Sequence, residues 1–272
     1  MKYGFIAVAG SPPEMVELAV ETEAHGWDGF FTFDGGGFDP WSLLAAAAMR
    51  TERVTLGAMI FALSRRRPWN VVNQATTVDH LSNGRLVIPV GLGAIDTPPY
   101  ARVRPEATDR RERAERLDEA LEIMVRAWTG EPFSFPGKHY QVDGMQVQPR
   151  PVQRPRIPIW AVGAWPHERS LDRAARWDGI IPYDMTSRDP DEPIAAARVR
   201  EIRDWMSARR EDAAPFDVVL EGITDGDDPA AIRERIGPLA EAGATWWIES
   251  RWIEGETPES LRRRIRQGPP KP

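Results

Sequence analysis

Cysteine is absent from the 272 residues, which excludes disulfides, thiolate nucleophiles and Cys-ligated zinc or iron–sulfur centres. Lysine is nearly absent. Only Lys2, Lys138 and Lys271 occur, so almost all positive charge is arginine. The net charge is -6 and the pI is about 5.4. A nucleic-acid binder needs clustered basic charge, so no nucleic acid is expected as a partner. No apolar run approaches 18 residues, so no membrane-spanning helix is expected. The stretch Met1–Glu14 has too short an apolar run for a signal peptide and turns directly into a helix start, so a cytoplasmic location is expected. His25, His80, His139 and His167 are scattered, with no pair four residues apart, and no metal site is expected. No G-x-S-x-G elbow occurs, which disfavours a serine hydrolase.

What is present is an alternation. Short apolar runs stand at Tyr3–Ala9, Gly29–Phe33, Val54–Phe61, Leu86–Leu92, Ile157–Val162, Gly179–Tyr183, Asp217–Gly222 and Thr245–Glu249. Helix signals fall between them. Ser11-Pro12-Pro13-Glu14 has the spacing of a capping box with proline at the first helical position. Asp39-Pro40, Asp228-Pro229 and Thr257-Pro258 repeat the cap-then-proline pattern. Gly26 and Gly243 sit where helices should stop. Such alternation implies parallel strands joined by crossover helices. Eight units in this length predict an α/β fold, a closed (β/α)8 TIM barrel forming a single domain over residues 1–272. A doubly wound sheet is the alternative. The alternation breaks once, between Leu92 and Ile157. There a helix near Arg111–Thr129 precedes an irregular stretch in which Phe133, Phe135, Tyr140 and Val142 suit a small hairpin. This insertion between strands 4 and 5 is expected to build a pocket or lid.

The segment PVQRPRIPIWAVG, Pro151–Gly163, shows how a strand is bounded. Pro158 cannot donate to a ladder, so the strand starts at or just after it. Ile159, Trp160, Ala161 and Val162 have no polar face, which suits a strand buried on both sides. Gly163 allows a turn or a close ligand approach at the carboxyl end, where α/β folds place ligands. A buried strand with no site attached is the equal alternative.

Four segments, Glu23–Asp34, Arg65–Gly93, Arg113–Val142 and Pro151–Pro182, resemble the luciferase-like flavin-dependent oxidoreductases, the bacterial luciferase superfamily. They cover most of the chain in the family's order. The resemblance implies a TIM barrel with a reduced flavin at its carboxyl face, FMN or alternatively the deazaflavin coenzyme F420. It also implies a small-molecule substrate, hydride transfer or oxygen activation, and a homodimer through the second and third helices. A separate flavin reductase is a further partner of such enzymes. A flavin-binding protein of the same fold without turnover is the alternative function.

The resemblance also assigns residues. Asp34 ends the second strand at the barrel mouth and is a candidate catalytic group, or else a turn residue. Many relatives have a histidine next, where this chain has Gly35, so proton handling passes to Asp34, Glu249 or water. Gly35–Gly37 is not a phosphate motif, since it lacks the Lys-Ser/Thr ending of a P-loop. Ala58, Met59 and Ile60 stand where relatives back the flavin ring with a bulge. Gly91 leaves room for a flat ring, and Asp96 follows it as a proton donor or a turn residue. Gly163, Ala164 and Trp165 offer backbone N–H groups to a phosphate at a helix start. Arg65–Arg67 is a solvated run or reaches a phosphate. Alternation puts Trp247 and Glu249 on one face of the last strand and Trp246 and Ile248 on the other. Glu249 near a strand's carboxyl end is a site candidate or a salt-bridge partner, and Glu221 admits the same two readings.

Overall fold

The computed structural model describes residues 1–35, 37–94, 103, 109–187, 193–211 and 214–271. The elements run β1 (Lys2–Ile6), α1 (Pro12–Ala24), β2 (Gly29–Thr32), α2 (Pro40–Ala48), β3 (Thr55–Ala58), β4 (Phe61–Ala62), α3 (Pro68–Leu81), β5 (Ile88–Gly91) and α4 (Arg110–Trp128). They continue with β6 (Phe133–Pro136), β7 (Gln141–Met145), β8 (Ile159–Trp165), α5 (Glu168–Ala175), β9 (Gly179–Asp184), α6 (Ala196–Arg209), β10 (Asp217–Gly222), α7 (Pro229–Glu241), β11 (Trp246–Glu249) and α8 (Pro258–Arg266).

Nine strands pair in the order β3-β2-β1-β11-β10-β9-β8-β5-β4, all parallel. A bridge between Leu56 of β3 and Leu86, just ahead of β5, closes the ring. β3 and β4 are two pieces of one stave, interrupted at Met59 and Ile60, whose peptide bond is cis. The result is the eight-stave (β/α)8 barrel expected from the eight apolar runs. No described helix is long and apolar enough to cross a membrane.

The cap-then-proline signatures act as caps. Asp39 accepts from Ser42 N–H, Asp228 from the N–H groups of Ala230 and Ala231, and Thr257 Oγ1 from Ser260 N–H. Each satisfies donors that a helix start leaves without partners.

Register separates the lumen from the helix layer. Ile6, Phe31, Met59, Val87, Trp160, Ile181, Val219, Trp246 and Ile248 fill the lumen as one apolar plug. Phe31, Trp160 and Trp246 form its centre, with Trp160 and Trp246 centroids 5.2 Å apart and edge-on. Space for Phe31 comes from missing side chains. A Cβ on Gly4, Gly29 or Gly57 would lie 2.6, 2.8 or 3.0 Å from the Phe31 ring. The plug closes the barrel below, so any ligand site lies above it, at the carboxyl ends of the strands.

The insertion is the antiparallel hairpin β6–β7, and α4 holds it through two carboxylates. Glu119 accepts the backbone N–H groups of Lys138, His139 and Tyr140 at 2.8 to 2.9 Å. Glu115 accepts from Lys138 Nζ and His139 Nε2. Those side-chain hydrogen bonds, Lys138 first, hold its carboxyl down at about 2. Replacing Glu119 by alanine leaves three N–H groups without their acceptor. It should lower stability by about 1–3 kcal/mol and speed amide exchange at residues 138–140. Unchanged exchange there would show that solvent serves those amides equally well.

Candidate active site

The two carboxylates left open by the sequence lie on opposite sides of the barrel wall. β10 and β11 pair Glu221 with Ile248 and Gly222 with Glu249. Ile248 belongs to the lumen plug, so Glu221 faces inward and Glu249 faces the helix layer. Glu249 is fully buried. It accepts from Thr224 N–H at 2.8 Å, from Thr224 Oγ1 at 2.7 Å and from Trp247 Nε1 at 3.3 Å. Arg264 of α8 and Arg251 lie 3.6 and 3.7 Å from it. This is a structural ion pair behind the strand, and a catalytic role for Glu249 is not carried forward.

Glu221 opens onto a cavity of about 810 Å3, lined also by Ile181, Tyr183, Ser250, Trp252 and Arg235. Its side chain is exposed to that cavity, whose walls displace part of its water. This desolvation pushes its carboxyl above the usual range, opposed by hydrogen bonding from Trp252 and Ser250. Trp252 and Tyr183 are 52% and 44% exposed, which marks an aromatic rim suited to a ligand. Trp252 also meets Phe33 edge-on at 5.3 Å.

A single residue opens this cavity. β9 and β10 pair only at Asp217↔Gly179 and Val218↔Ile180, with Asp217 N–H donating to Asp178 C=O at 2.9 Å. Continuing that register requires an N–H on residue 182 directed at the Val219 carbonyl. Residue 182 is proline, which has none. The two strands part there, and the cavity lies in the split, lined by Ile181, Pro182 and Tyr183 on one side and Val219 to Ile223 on the other.

The remaining expected site residues divide. Asp34 sits at the mouth, after β2, with both oxygens engaged. Arg66 Nη2 donates to Oδ1 at 2.8 Å and Nε to Oδ2 at 3.1 Å, and Ala62 N–H adds 3.3 Å. Asp34 thus clamps the end of β2 to the end of β4. Met59 and Ile60 face the lumen cluster. Ala58 packs in the outer core instead, because it pairs with Thr32, one position beyond inward-facing Phe31. Gly91 faces the lumen, where a Cβ would lie 2.9 Å from Ile60 Cδ1 and 3.0 Å from Val162 Cγ2. A Cβ on Gly163 would lie 2.4 Å from Ile180 Cδ1 and 3.3 Å from Leu171 Cδ2. The space left by the absent side chain at Gly163 is taken by Ile180 of β9, with Leu171 of α5 beside it. Ala164 follows inward-facing Val162 by two positions, and its N–H already donates to Ser170 Oγ at 3.0 Å. Trp165 faces out, with Arg198 Cζ 5.1 Å from its ring centroid. Asp96 lies outside the described residues.

One residue without a sequence signal stands beside β5. Arg113 of α4 is 6% exposed. Its Nη1 donates to the carbonyls of Leu92 and Gly93 at 3.1 and 2.6 Å, and its Nε is buried with no hydrogen-bond partner. Burial, then the nearby charges of Arg65 and Arg110, push its pKa down, with Asp109 opposing. Arg65 Nη2 donates to the Ala94 carbonyl in the same corner. Among the described residues this corner carries more positive than negative charge and suits an anion. Among the described residues no group of three or more His, Asp and Glu is placed to hold a metal ion.

Comparison with known proteins agrees with this architecture. The monooxygenase RslO1 from Streptomyces bottropensis superposes with a TM-score of 0.77 at 20% identity, over 98% of this chain and 97% of that one. The coenzyme F420-dependent tetrahydromethanopterin reductase from Methanopyrus kandleri gives 0.73 at 17% identity, over 98% of each chain. In sequence, the chain is 34% identical over 176 residues to an F420-dependent glucose-6-phosphate dehydrogenase from Nakamurella multipartita. That match takes in 60% of this chain and 51% of the relative, so the chain spans about half the length of the curated relatives it matches. The family model for luciferase-like monooxygenases matches residues 4–267, and the chain belongs to that family.

Proposed function

We propose that this protein is an oxidoreductase that binds a reduced flavin-type cofactor, FMN or the deazaflavin F420, and acts on a small organic substrate at the barrel mouth. Both cofactors occur in the names of similar proteins. The observation that carries the reading is Arg113, a buried cation with an orphaned Nε, held on the Leu92 and Gly93 carbonyls just past β5 and above the apolar lumen plug. A phosphate-bearing tail would satisfy that donor, with Arg65 as its neighbour. Ile60, Gly91 and Ala164 are the inward positions that would contact a ring. When bound, the cofactor supplies the hydride or the oxygen chemistry. The chain's own part is to hold it, to keep the lumen dry with the aromatic plug, and to move a proton. Glu221 takes the proton role, since Arg66 occupies both oxygens of Asp34. A homodimer, and for an oxygenase a separate flavin reductase, belong to the same proposal.

Titration with FMN and with F420, each oxidised and reduced, tests this through tryptophan fluorescence. One reduced cofactor should bind selectively. Arg113→Met should weaken it by a factor of about 10–100, the loss of one charge-assisted hydrogen bond. If a folded sample binds neither cofactor, the proposal fails.

A further inference from the structure

Arg235 of α7 lines the outer end of the cavity between β9 and β10. The guanidinium lies beside Gly222, where a Cβ would stand 3.3 Å from its Nη2. The Nε of Arg235 is buried without a hydrogen-bond partner. No ion pair joins Arg235 to any described carboxylate. Its Cζ lies 5.6 Å from the Trp247 ring centroid. That contact supports the flat face of the cation and leaves its five N–H donors at the edge unused. The carboxylate of Asp184 on the same wall is already taken, by Arg198 Nε at 2.8 Å and by Thr186 Oγ1 and N–H. Among the described residues, Arg235 therefore brings to the outer end of the split a cation with no ion-pair partner, while the inner part is walled by Tyr183, Trp252 and Ile181 and holds Glu221.

We propose that the split between β9 and β10 binds a small organic anion, its carboxylate or phosphate head on Arg235 and its body directed inward toward Glu221 and the barrel mouth. This assigns the substrate class for the oxidoreductase proposed above and rests on that reading. A bidentate oxyanion fits the planar fork of arginine better than the point charge of lysine, and the aromatic walls suit a hydrocarbon or ring body.

The test uses the whole chain, with benzoate, its neutral analogue benzamide and inorganic phosphate as probes, followed by calorimetry and by tryptophan fluorescence. Benzoate should bind at least tenfold more tightly than benzamide. Arg235→Gln should lose at least tenfold in benzoate affinity, leave benzamide unchanged, and leave FMN and F420 binding as in the parent. Arg235→Lys should recover part of the loss. Binding of phosphate alone would assign a phosphate head, and binding of benzoate alone a carboxylate head. Equal benzoate binding by the parent and Arg235→Gln overturns the proposal. So does failure of both anions to bind at millimolar concentration. Loss of cofactor together with the anion in Arg235→Gln also overturns it, because Arg235 then serves the cofactor. Anion binding by a protein that takes neither cofactor would sink the oxidoreductase reading and leave the anion site standing.

Discussion

Replacing Glu249 by alanine should destabilise this protein by about 3–5 kcal/mol, as when one partner of a buried ion pair is removed. Arg264 is 4% exposed and reaches the Thr224 carbonyl, Thr224 Oγ1 and the Gly268 carbonyl, all uncharged acceptors. Burial pulls its pKa down, and Glu249 is the first influence that opposes this. Without Glu249, a buried cation remains and Thr224 loses the acceptor for both its N–H and its hydroxyl. The melting temperature should fall on the order of 10 °C. Glu249→Gln keeps the shape and one acceptor oxygen and should lie between. Adding Arg264→Met to Glu249→Ala should restore part of the loss, since the stranded charge is then gone. Urea melts of the four proteins measure each step. A Glu249→Ala protein that melts with the parent would remove the network from the account of stability.

Glu221→Gln should do the reverse, lowering kcat/KM by about 10²–10⁴, the range for loss of a general acid or base, while leaving the fold as stable or more so. The sign follows from the raised pKa of its carboxyl in the folded state. The folded state holds this proton more tightly than the unfolded chain. The resulting stability is full below the unfolded carboxyl pKa and is lost as pH rises through the folded value. Above that folded value the parent bears a carboxylate charge beside the cavity wall that glutamine lacks. Parent and variant should therefore melt together near pH 4, and the variant should gain as pH rises. The parent's kcat/KM profile should also contain a limb that Glu221→Gln lacks. The groups around Glu221 that set this limb are Ser250 and Trp252, with Arg235, Asp184 and Tyr183 on the same cavity wall. Unchanged activity in the variant would reduce Glu221 to a lining residue.

These two glutamates show what was legible in the sequence and what was not. The staves were legible because most of each is buried on both faces and reads as a short apolar run. The helix starts were legible because a cap before proline is a local signal, as at Asp39 and Asp228. Alternation along the last strand correctly separates Glu249 from Ile248. Which of those faces is the lumen depends on barrel closure, a non-local property that no window of sequence contains. Gly163 was ambiguous for a related reason. A missing side chain admits a ligand or a neighbouring side chain equally well, and here Ile180 takes the space. Arg113 and Arg235 gave no signal, because a single arginine is unremarked in a chain where arginine carries nearly all the positive charge. Pro182 was a readable signal. A proline inside an apolar strand run implies a broken ladder, and the break is where the cavity lies.

The plug has an optical consequence. Trp160 comes from β8 and Trp246 from β11, staves separated by β9 and β10 in the order of the sheet, yet their indoles meet at 5.2 Å across the lumen. Two chromophores so close and so inclined share their excited states, and the shared transition gives a paired band in circular dichroism. That band exists only while the barrel is shut. An outer helix can fray without touching it, whereas separation of the staves extinguishes it, so the cylinder's closure can be followed by its own absorption without a label.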